Sequence, residues 1–275
     1  MDGVGSPGLI VDGYNSPHSF QLKPSHAKML EQADIIFWIG EDLENFLEKP
    51  LATIAKKAEK IELLEIKGIK KLKFRERNIF EEHEGHDDHG DDAKKEEHDD
   101  HDDHDDHGHG EYDPHIWLDP INAKVILNEI TEHLIENDSK NAATYKSNLA
   151  KAISEIDKLI IDVITETNTD LSYVVFHDAY QYYENRFNVN ILGAMTVNPD
   201  VMPGAEQIHE IHEVIEHDNV SCILSEPQFN PDIIKSIAKD TSVKTGVLDP
   251  LGANLKPGKD LYFDLIRNMS ASFNC

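Results

Sequence analysis

Residues 139–167 read SKNAATYKSNLAKAISEIDKLIIDVITET, and this stretch organises the rest of the chain. Apolar side chains recur in it at three- and four-residue steps, the spacing of one face of an α-helix. At about 1.5 Å per residue, the segment predicts a rod of roughly 42 Å. A helix this long can join two domains, so we predict a bridging helix over 139–168. The recurring residues are Tyr145, Leu149, Ile153, Ile156, Ile160 and Ile164.

Strand and helix patterns alternate on both sides of this helix. The run Ile35 to Ile39 is continuously apolar and closed by Gly40, which predicts a parallel strand buried on both faces. Asp119 followed by Pro120 predicts the start of a further helix. The fold class is therefore α/β, with two Rossmann-like lobes of mainly parallel sheet over 1–138 and 169–275. Strands are predicted over 9–11, 35–39, 61–64, 173–176, 189–192, 220–224 and 243–248, and further helices over 24–32, 43–57, 205–216 and 231–239.

Half of the net charge lies in one segment. The 275 residues carry a formal charge of −27, and residues 81–111 hold 16 acidic residues, two Lys and eight His, which sum to −14. A chain this acidic repels nucleic acid and anionic lipid, so neither is expected as a partner. The sequence contains no run of about 18 apolar residues, so no membrane-spanning helix is predicted.

The segment 81–111 is of low complexity and cannot bury a core. Imidazoles alternate in it with pairs of carboxylates, so we expect it to bind several zinc ions weakly. The alternative is an acidic loop that only attracts water. The candidate auxiliary ligands are His83, His86, His89, His98, His101, His104, His107 and His109.

Four other residues stand where loops follow strands or precede helices: His18, His115, His177 and Asp249. In open α/β sheets, ligands bind in the crevice at the carboxyl ends of the strands. Three imidazoles and one oxygen form a ligand set for zinc, so we expect these residues to converge between the lobes. The alternative for each histidine is an ordinary hydrogen-bonded loop residue. The segment 226–228 follows a strand and is expected to shape the rim of the cleft.

Five motifs occur along the chain in this order: Pro17–Ser25, the acidic His-rich segment, Asp113–Pro120, Phe176–Tyr180 and Leu248–Gly252. This series resembles the metal-binding solute receptors of ABC importers, specifically the zinc-uptake (ZnuA-type) branch of bacterial solute-binding protein family 9. The resemblance covers nearly the whole chain. It implies two α/β lobes, one rigid bridging helix and a metal buried between the lobes.

The resemblance also implies which residues hold the metal. Carried over by motif, the zinc ligands are His18, His115 and His177. Some relatives add a Glu directly before the first histidine, but Pro17 stands there in this chain. The fourth ligand is then water or Asp249, which matches the carboxylate ligand of manganese-type relatives. Those relatives carry a carboxylate where His177 stands, so this site is richer in nitrogen and shifted towards zinc.

Two further expectations follow from the resemblance. Cys222 and Cys275, the only thiols, match a disulfide that ties the chain end to the second lobe; the alternative is one buried and one free cysteine. A disulfide would fit the periplasm, an oxidising compartment. The first residues lack the regions of a signal peptide. Compared with the family, the chain is expected to be shortened, without a leader, a first strand and a first helix.

The predicted function is a monomeric periplasmic receptor that binds zinc and delivers it to an ABC-type permease, and through it to the ATPase. It is not expected to be an enzyme or to span the membrane. A zinc hydrolase is the alternative from another class, because three histidines and a water also form catalytic zinc centres. The sequence shows no evident acid and base pair for hydrolysis. Manganese transport is the remaining alternative.

Overall fold

The computed structural model describes residues 1–75, 77–80, 110–199, 201, 203–241 and 243–275. In these ranges the chain forms two parallel β-sheets with surrounding helices, which confirms the predicted α/β class. The strands are β1 (Ile35–Trp38), β2 (Glu59–Glu62), β3 (Ser172–His177), β4 (Asn190–Thr196), β5 (Cys222–Ser225) and β6 (Lys244–Val247). The helices are α1 (Pro24–Gln32), α2 (Glu41–Thr53), α3 (Pro120–Asn137), α4 (Ala142–Glu166), α5 (Gln181–Phe187), α6 (Ala205–His217), α7 (Asp232–Asp240) and α8 (Leu261–Ser272).

The first sheet contains β1 and β2, paired in parallel from Ile35–Glu59 to Trp38–Glu62. The prediction that β1 is buried on both faces is wrong, because all four of its residues are half-buried. In the described part of the chain β1 has β2 as its only hydrogen-bonded neighbour, so it lies at an edge.

The predicted strand over residues 9–11 does not form. Leu9 is 53% exposed, whereas Ile10 packs against the apolar cluster around Leu30. The segment is therefore held by side-chain packing, and no strand of the described residues pairs with it. The segment instead leads, as a loop, towards the second sheet.

The second sheet has the strand order β4-β3-β5-β6, and all of its pairings are parallel. Every residue of β3 is buried, as expected for a central strand with helices on both faces. Because the strands run in one direction, β3, β5 and β6 end at the same edge of the sheet. Ligands bind at this edge in open α/β folds.

The long helix forms within the predicted range. It spans Ala142–Glu166, 25 residues or about 38 Å, and a short 3₁₀ turn over Ser139–Asn141 precedes it. It packs against α3 from the first half of the chain and against α8 from the second half. The helix therefore connects the layers that surround both sheets.

Helix α3 begins as the sequence predicts. Pro120 is its first residue, and the Asp119 carboxylate caps it by accepting a hydrogen bond from the Ile121 amide at 2.8 Å. Arg186 of α5 donates two further bonds to the same carboxylate, each 2.7 Å long. This ion pair fixes the start of α3 against the second half of the chain.

One buried apolar cluster includes residues from both halves. Ile61 and Leu64 belong to the first, whereas Tyr173 and Leu224 belong to strands of the second. The two sheets are thus packed on a continuous core. Within the described ranges, no helix has the length and apolar character needed to cross a membrane.

Candidate metal centre

Three histidines from distant parts of the chain meet between the two sheets. His18 lies in the loop before α1, His115 directly precedes the 3₁₀ turn Ile116–Leu118, and His177 is the last residue of β3. His115 and His177 are each 3% exposed. The structure therefore brings together three of the four residues that the sequence singles out.

The distances between the three imidazoles suit a tetrahedral metal ion. The Nε2 atom of His115 lies 3.3 Å from that of His18 and 3.3 Å from that of His177. One ligand atom from each of the three residues lies within 4.8 Å of the others. Zinc–nitrogen bonds of about 2.0–2.1 Å in a tetrahedron place neighbouring nitrogens about 3.3–3.4 Å apart.

Asp113 orients the ring of His115. Its Oδ1 accepts hydrogen bonds from the His115 backbone N–H at 2.9 Å and from the ring Nδ1 at 2.7 Å. Burial and the charge of His177 hold the pKa of His115 well below its usual value, so this ring is neutral. With the proton on Nδ1, the lone pair of Nε2 points at the other imidazoles, which is the form that binds a metal.

Glu226 orients His177 in the same way. It follows β5, the neighbour of β3, and its Oε1 lies 2.7 Å from the His177 Nδ1. Burial alone would lower the pKa of His177. The carboxylates of Glu226, Asp178 and Asp113 outweigh burial and raise it.

The loop that carries His18 is bonded to the second half of the chain. The carbonyl of Gly13 accepts a hydrogen bond from Gln228 Nε2 at 2.7 Å, and the Tyr14 hydroxyl donates to Asn254 Oδ1. A Cβ atom at Gly13 would lie 2.8 Å from the Ala253 Cα, so only glycine permits this close approach. These contacts place His18 beside the carboxyl end of the second sheet.

The surroundings of the three histidines are rich in buried carboxylates. Arg75 donates to Asp178 Oδ1 at 3.0 Å and forms two bonds to Glu184, at 3.0 and 2.7 Å. Burial raises the pKa of Asp113 to about 7, of Asp178 to about 6 and of Glu184 to about 7. A divalent cation in the centre would favour the charged form of each of them.

Asp249, the fourth candidate, lies outside the group of ligand atoms. Its Oδ1 accepts hydrogen bonds from the Leu251 and Gly252 backbones and from Gln228 Nε2, at 3.1, 2.9 and 3.0 Å. Its Oδ2 accepts one from the Ala253 backbone at 2.6 Å. The carboxylate thus shapes its own loop, and the structure does not bring it together with the imidazoles.

Two other expectations from the sequence concern the cysteine pair and the acidic His-rich segment. Cys222 and Cys275 form a disulfide, with their Cα atoms 6.3 Å apart and a separation of 53 residues in sequence. The histidines of the acidic segment, between positions 83 and 109, lie outside the described residues.

Sequence reasoning missed the roles of Asp113 and Glu226. Asp113 stands two residues before His115, a spacing that could have indicated its bond to the ring. Glu226 was assigned only to the rim of the cleft. Its partner could not be identified without knowing that β5 lies beside β3.

Solved structures share this fold. A crystal structure of ZnuA is 21% identical in sequence, with a TM-score of 0.73, and the match covers 97% of this chain and 89% of that one. A Mn-bound periplasmic metal binding protein from Candidatus Liberibacter asiaticus is 20% identical, with a TM-score of 0.71 and coverage of 96% and 88%. This chain thus shares its fold with both of these proteins, and the fold does not separate zinc from manganese.

Sequence comparison is more specific. The family model described as zinc-uptake complex component A, periplasmic, matches residues 3–274. The high-affinity zinc uptake system protein ZnuA of Brucella abortus (strain 2308) is 47% identical over 285 residues, covering 99% of this chain and 85% of that protein. The corresponding protein of Haemophilus influenzae is 35% identical, with coverage of 99% and 86%.

The chain belongs to the ZnuA family of periplasmic zinc-uptake components. Members of this family are solute-binding proteins of ABC-type uptake systems, not enzymes, so the hydrolase alternative is set aside. The solute is Zn²⁺, in agreement with the three converging imidazoles.

Proposed function

We propose that His18, His115 and His177 together hold one Zn²⁺ ion for uptake. The observation that carries this proposal is the 3.3 Å distance from the His115 Nε2 to the Nε2 atoms of both His18 and His177, the edge length of a tetrahedral zinc site. Two of the rings are oriented by buried carboxylates, as in the carboxylate–histidine–zinc arrangements of other proteins. Water and Asp249 both remain candidates for the fourth ligand.

The ligand set favours zinc over manganese. Imidazole nitrogen suits zinc, whereas manganese prefers carboxylate, carbonyl and water oxygens. The carboxylates at this centre, Asp113 and Glu226, bond to the outer nitrogens of His115 and His177. They therefore support nitrogen ligands and do not replace them.

The arrangement of the ligands supports a proposal for how zinc is delivered to the permease. His18 and His115 come from the proposed first lobe, residues 1–138, and His177 from the proposed second lobe, residues 169–275. With the helix of 139–168 as the rigid connection, a small separation of the lobes would remove His177 from the other two. We propose that a monomeric receptor in the periplasm releases zinc to an ABC-type permease in this way.

We propose that the acidic His-rich segment gathers zinc for this site. The described residues at its two ends bond to different halves of the chain. The Phe80 amide donates to the Leu192 carbonyl of β4 at 2.9 Å, and the Gly110 amide donates to Asp42 Oδ1 at 2.8 Å. The segment therefore starts and ends within reach of both lobes. Its imidazoles bind zinc only when unprotonated, so its binding should weaken below about pH 6.

A competition titration tests the zinc site. Wild type is titrated with zinc and with manganese against a chelator and compared with His177→Ala. We expect the variant to lose at least 100-fold in zinc affinity, whereas His209→Ala, at an exposed ion pair of α6, should bind like wild type. Tight zinc binding that survives in His177→Ala would contradict the site.

Two more measurements test the zinc-gathering role of the acidic segment and the zinc-dependent delivery to the permease. A chain without residues 83–109 should lose the weak zinc equivalents and keep the tight one; unchanged stoichiometry would contradict the gathering role. Zinc-loaded protein should stimulate ATP hydrolysis by the permease complex reconstituted in vesicles. Zinc-free protein serves as the control, and equal stimulation by both forms would contradict zinc-dependent delivery.

A further inference from the structure

Gln228, beside the three histidines, is one of the residues with a buried polar atom that lacks a partner in the described part of the chain. The Oε1 atom of Gln228 is inaccessible to solvent and receives no hydrogen bond from the described residues. An unpaired buried acceptor loses its hydrogen bond to water without replacing it, so proteins rarely retain one without a reason. Gln228 follows β5 two positions after Glu226, at the sheet edge where His177 lies.

The orientation of the Gln228 amide is fixed by its other end. Its Nε2 donates to the Gly13 carbonyl at 2.7 Å and to Asp249 Oδ1 at 3.0 Å. Both partners can only accept hydrogen bonds. Rotating the amide by 180° would place Oε1 against two oxygens, so Oε1 must be the atom left without a donor.

The cavity at the centre places this amide beside the metal ligands. Gln228 lines the same small cavity as His18, His115 and His177. The cavity has a volume of about 10 Å³, the space that a single water molecule needs. Trp117 and Phe229 supply apolar walls, which hold no water by themselves.

We propose that Gln228 closes the fourth side of the zinc site. Its Oε1 accepts a hydrogen bond from the water molecule that occupies the fourth coordination position. The three imidazoles leave this position open, the cavity has room for one water, and Gln228 provides the acceptor that such a water needs. The inference rests on the proposed zinc site.

This arrangement gives Asp249 an indirect role. On this proposal the Asp249 carboxylate is not a zinc ligand but holds Gln228 Nε2, which leaves Oε1 as the end of the amide available to the water. The same Nε2 holds the Gly13 carbonyl of the loop that carries His18. One amide thus connects the first ligand loop, the Asp249 loop and the coordination sphere.

Two substitutions separate the role of Oε1 from that of Nε2. Gln228→Met keeps the length of the side chain but removes both polar atoms. Gln228→Glu keeps an oxygen acceptor and removes the donor. The matched control is Gln207→Met, whose side chain accepts a bond from the Gly204 amide in an exposed turn.

Zinc affinity by competition titration is one readout, and the visible absorption of the cobalt(II)-loaded protein is the other. We expect Gln228→Met to bind zinc 10–100-fold more weakly and to shift the cobalt bands, since the fourth ligand changes. Gln228→Glu should weaken zinc binding less than Gln228→Met, because it keeps an acceptor although its second oxygen faces the Gly13 carbonyl and Asp249. Its carboxylate can replace the water, so its cobalt bands should also shift.

Three results would overturn the inference. The first is that Gln228→Met keeps both the zinc affinity and the cobalt bands of wild type. The second is that the cobalt bands are unchanged in both variants. The third is that zinc binding weakens equally in both variants. The last result would assign the effect to Nε2. The wild type and His177→Ala are measured alongside. If wild type binds no zinc tightly, or if His177→Ala binds normally, the proposed zinc site itself has failed.

Discussion

The Nε2 atoms of His18 and His115 lie 3.3 Å apart, although 97 positions separate the two residues in the chain. When their outer nitrogens carry the protons, both atoms present lone pairs, which repel each other at this distance. A metal ion between the two nitrogens would accept both lone pairs, so two coordination bonds would replace the repulsion. The spacing of these two nitrogens is therefore the one expected of two ligands of the proposed zinc site.

Glu226→Gln should weaken zinc binding about 10–100-fold, because an outer carboxylate orients its histidine and makes it a stronger ligand. The amide can still accept a bond from His177 Nδ1, so the fold should be preserved. Competition titration measures the effect. Glu213→Gln, at an exposed pair on α6, is the control and should not change the affinity.

Arg75→Met should destabilise the protein by about 3–5 kcal/mol, because Asp178 and Glu184 would remain buried without their cation. Urea unfolding of the metal-free protein measures this loss. Arg77→Met, at an exposed position, should stay within about 0.5 kcal/mol of wild type. If Arg75→Met is as stable as Arg77→Met, the buried pairs do not contribute as inferred.

Glu44→Gln should make stability less dependent on pH. Burial raises the pKa of Glu44 from 4.5 to about 7, despite hydrogen bonds from the Ile39 and Gly40 amides. Between these values the folded state keeps a proton that the unfolded chain releases, so Glu44 lowers stability as the pH rises from about 4.5 to 7.

The variant should therefore lack this decline, while its amide oxygen still accepts the two backbone bonds. Chemical unfolding at several pH values measures it. Glu48→Gln, exposed on the same helix, should follow the wild-type profile. A wild-type profile in Glu44→Gln would disprove the burial effect.

Cys275→Ser should lower the free energy of unfolding by about 4 kcal/mol, the chain-entropy value for a loop closed over this separation of 53 residues. Thermal melts of oxidised and reduced protein provide the comparison. The variant should melt with reduced wild type and be insensitive to dithiothreitol. Melting with oxidised wild type would show that the bridge contributes no stability.

Much of the fold was accessible from the sequence because local patterns carry it. The three- and four-residue spacing around Ile156 predicted the long helix, and Asp119 followed by Pro120 predicted the start of α3. The apolar run ending at His177 predicted β3. These features depend on backbone propensity and hydrophobic periodicity, which act over a few residues and can be read without knowing the neighbours.

Long-range contacts decided the rest. The sequence supplied three histidines and a carboxylate as candidates, but strand order placed Glu226 against His177 and left Asp249 to organise its own loop. The exposure of β1 likewise depended on which strands lie beside it. The chemistry of a ligand is fixed by its residue type. Side chains brought together from distant parts of the chain decide which nitrogen of each histidine faces the proposed zinc site. They also decide that the buried Gln228 Oε1 lacks a partner in the described residues.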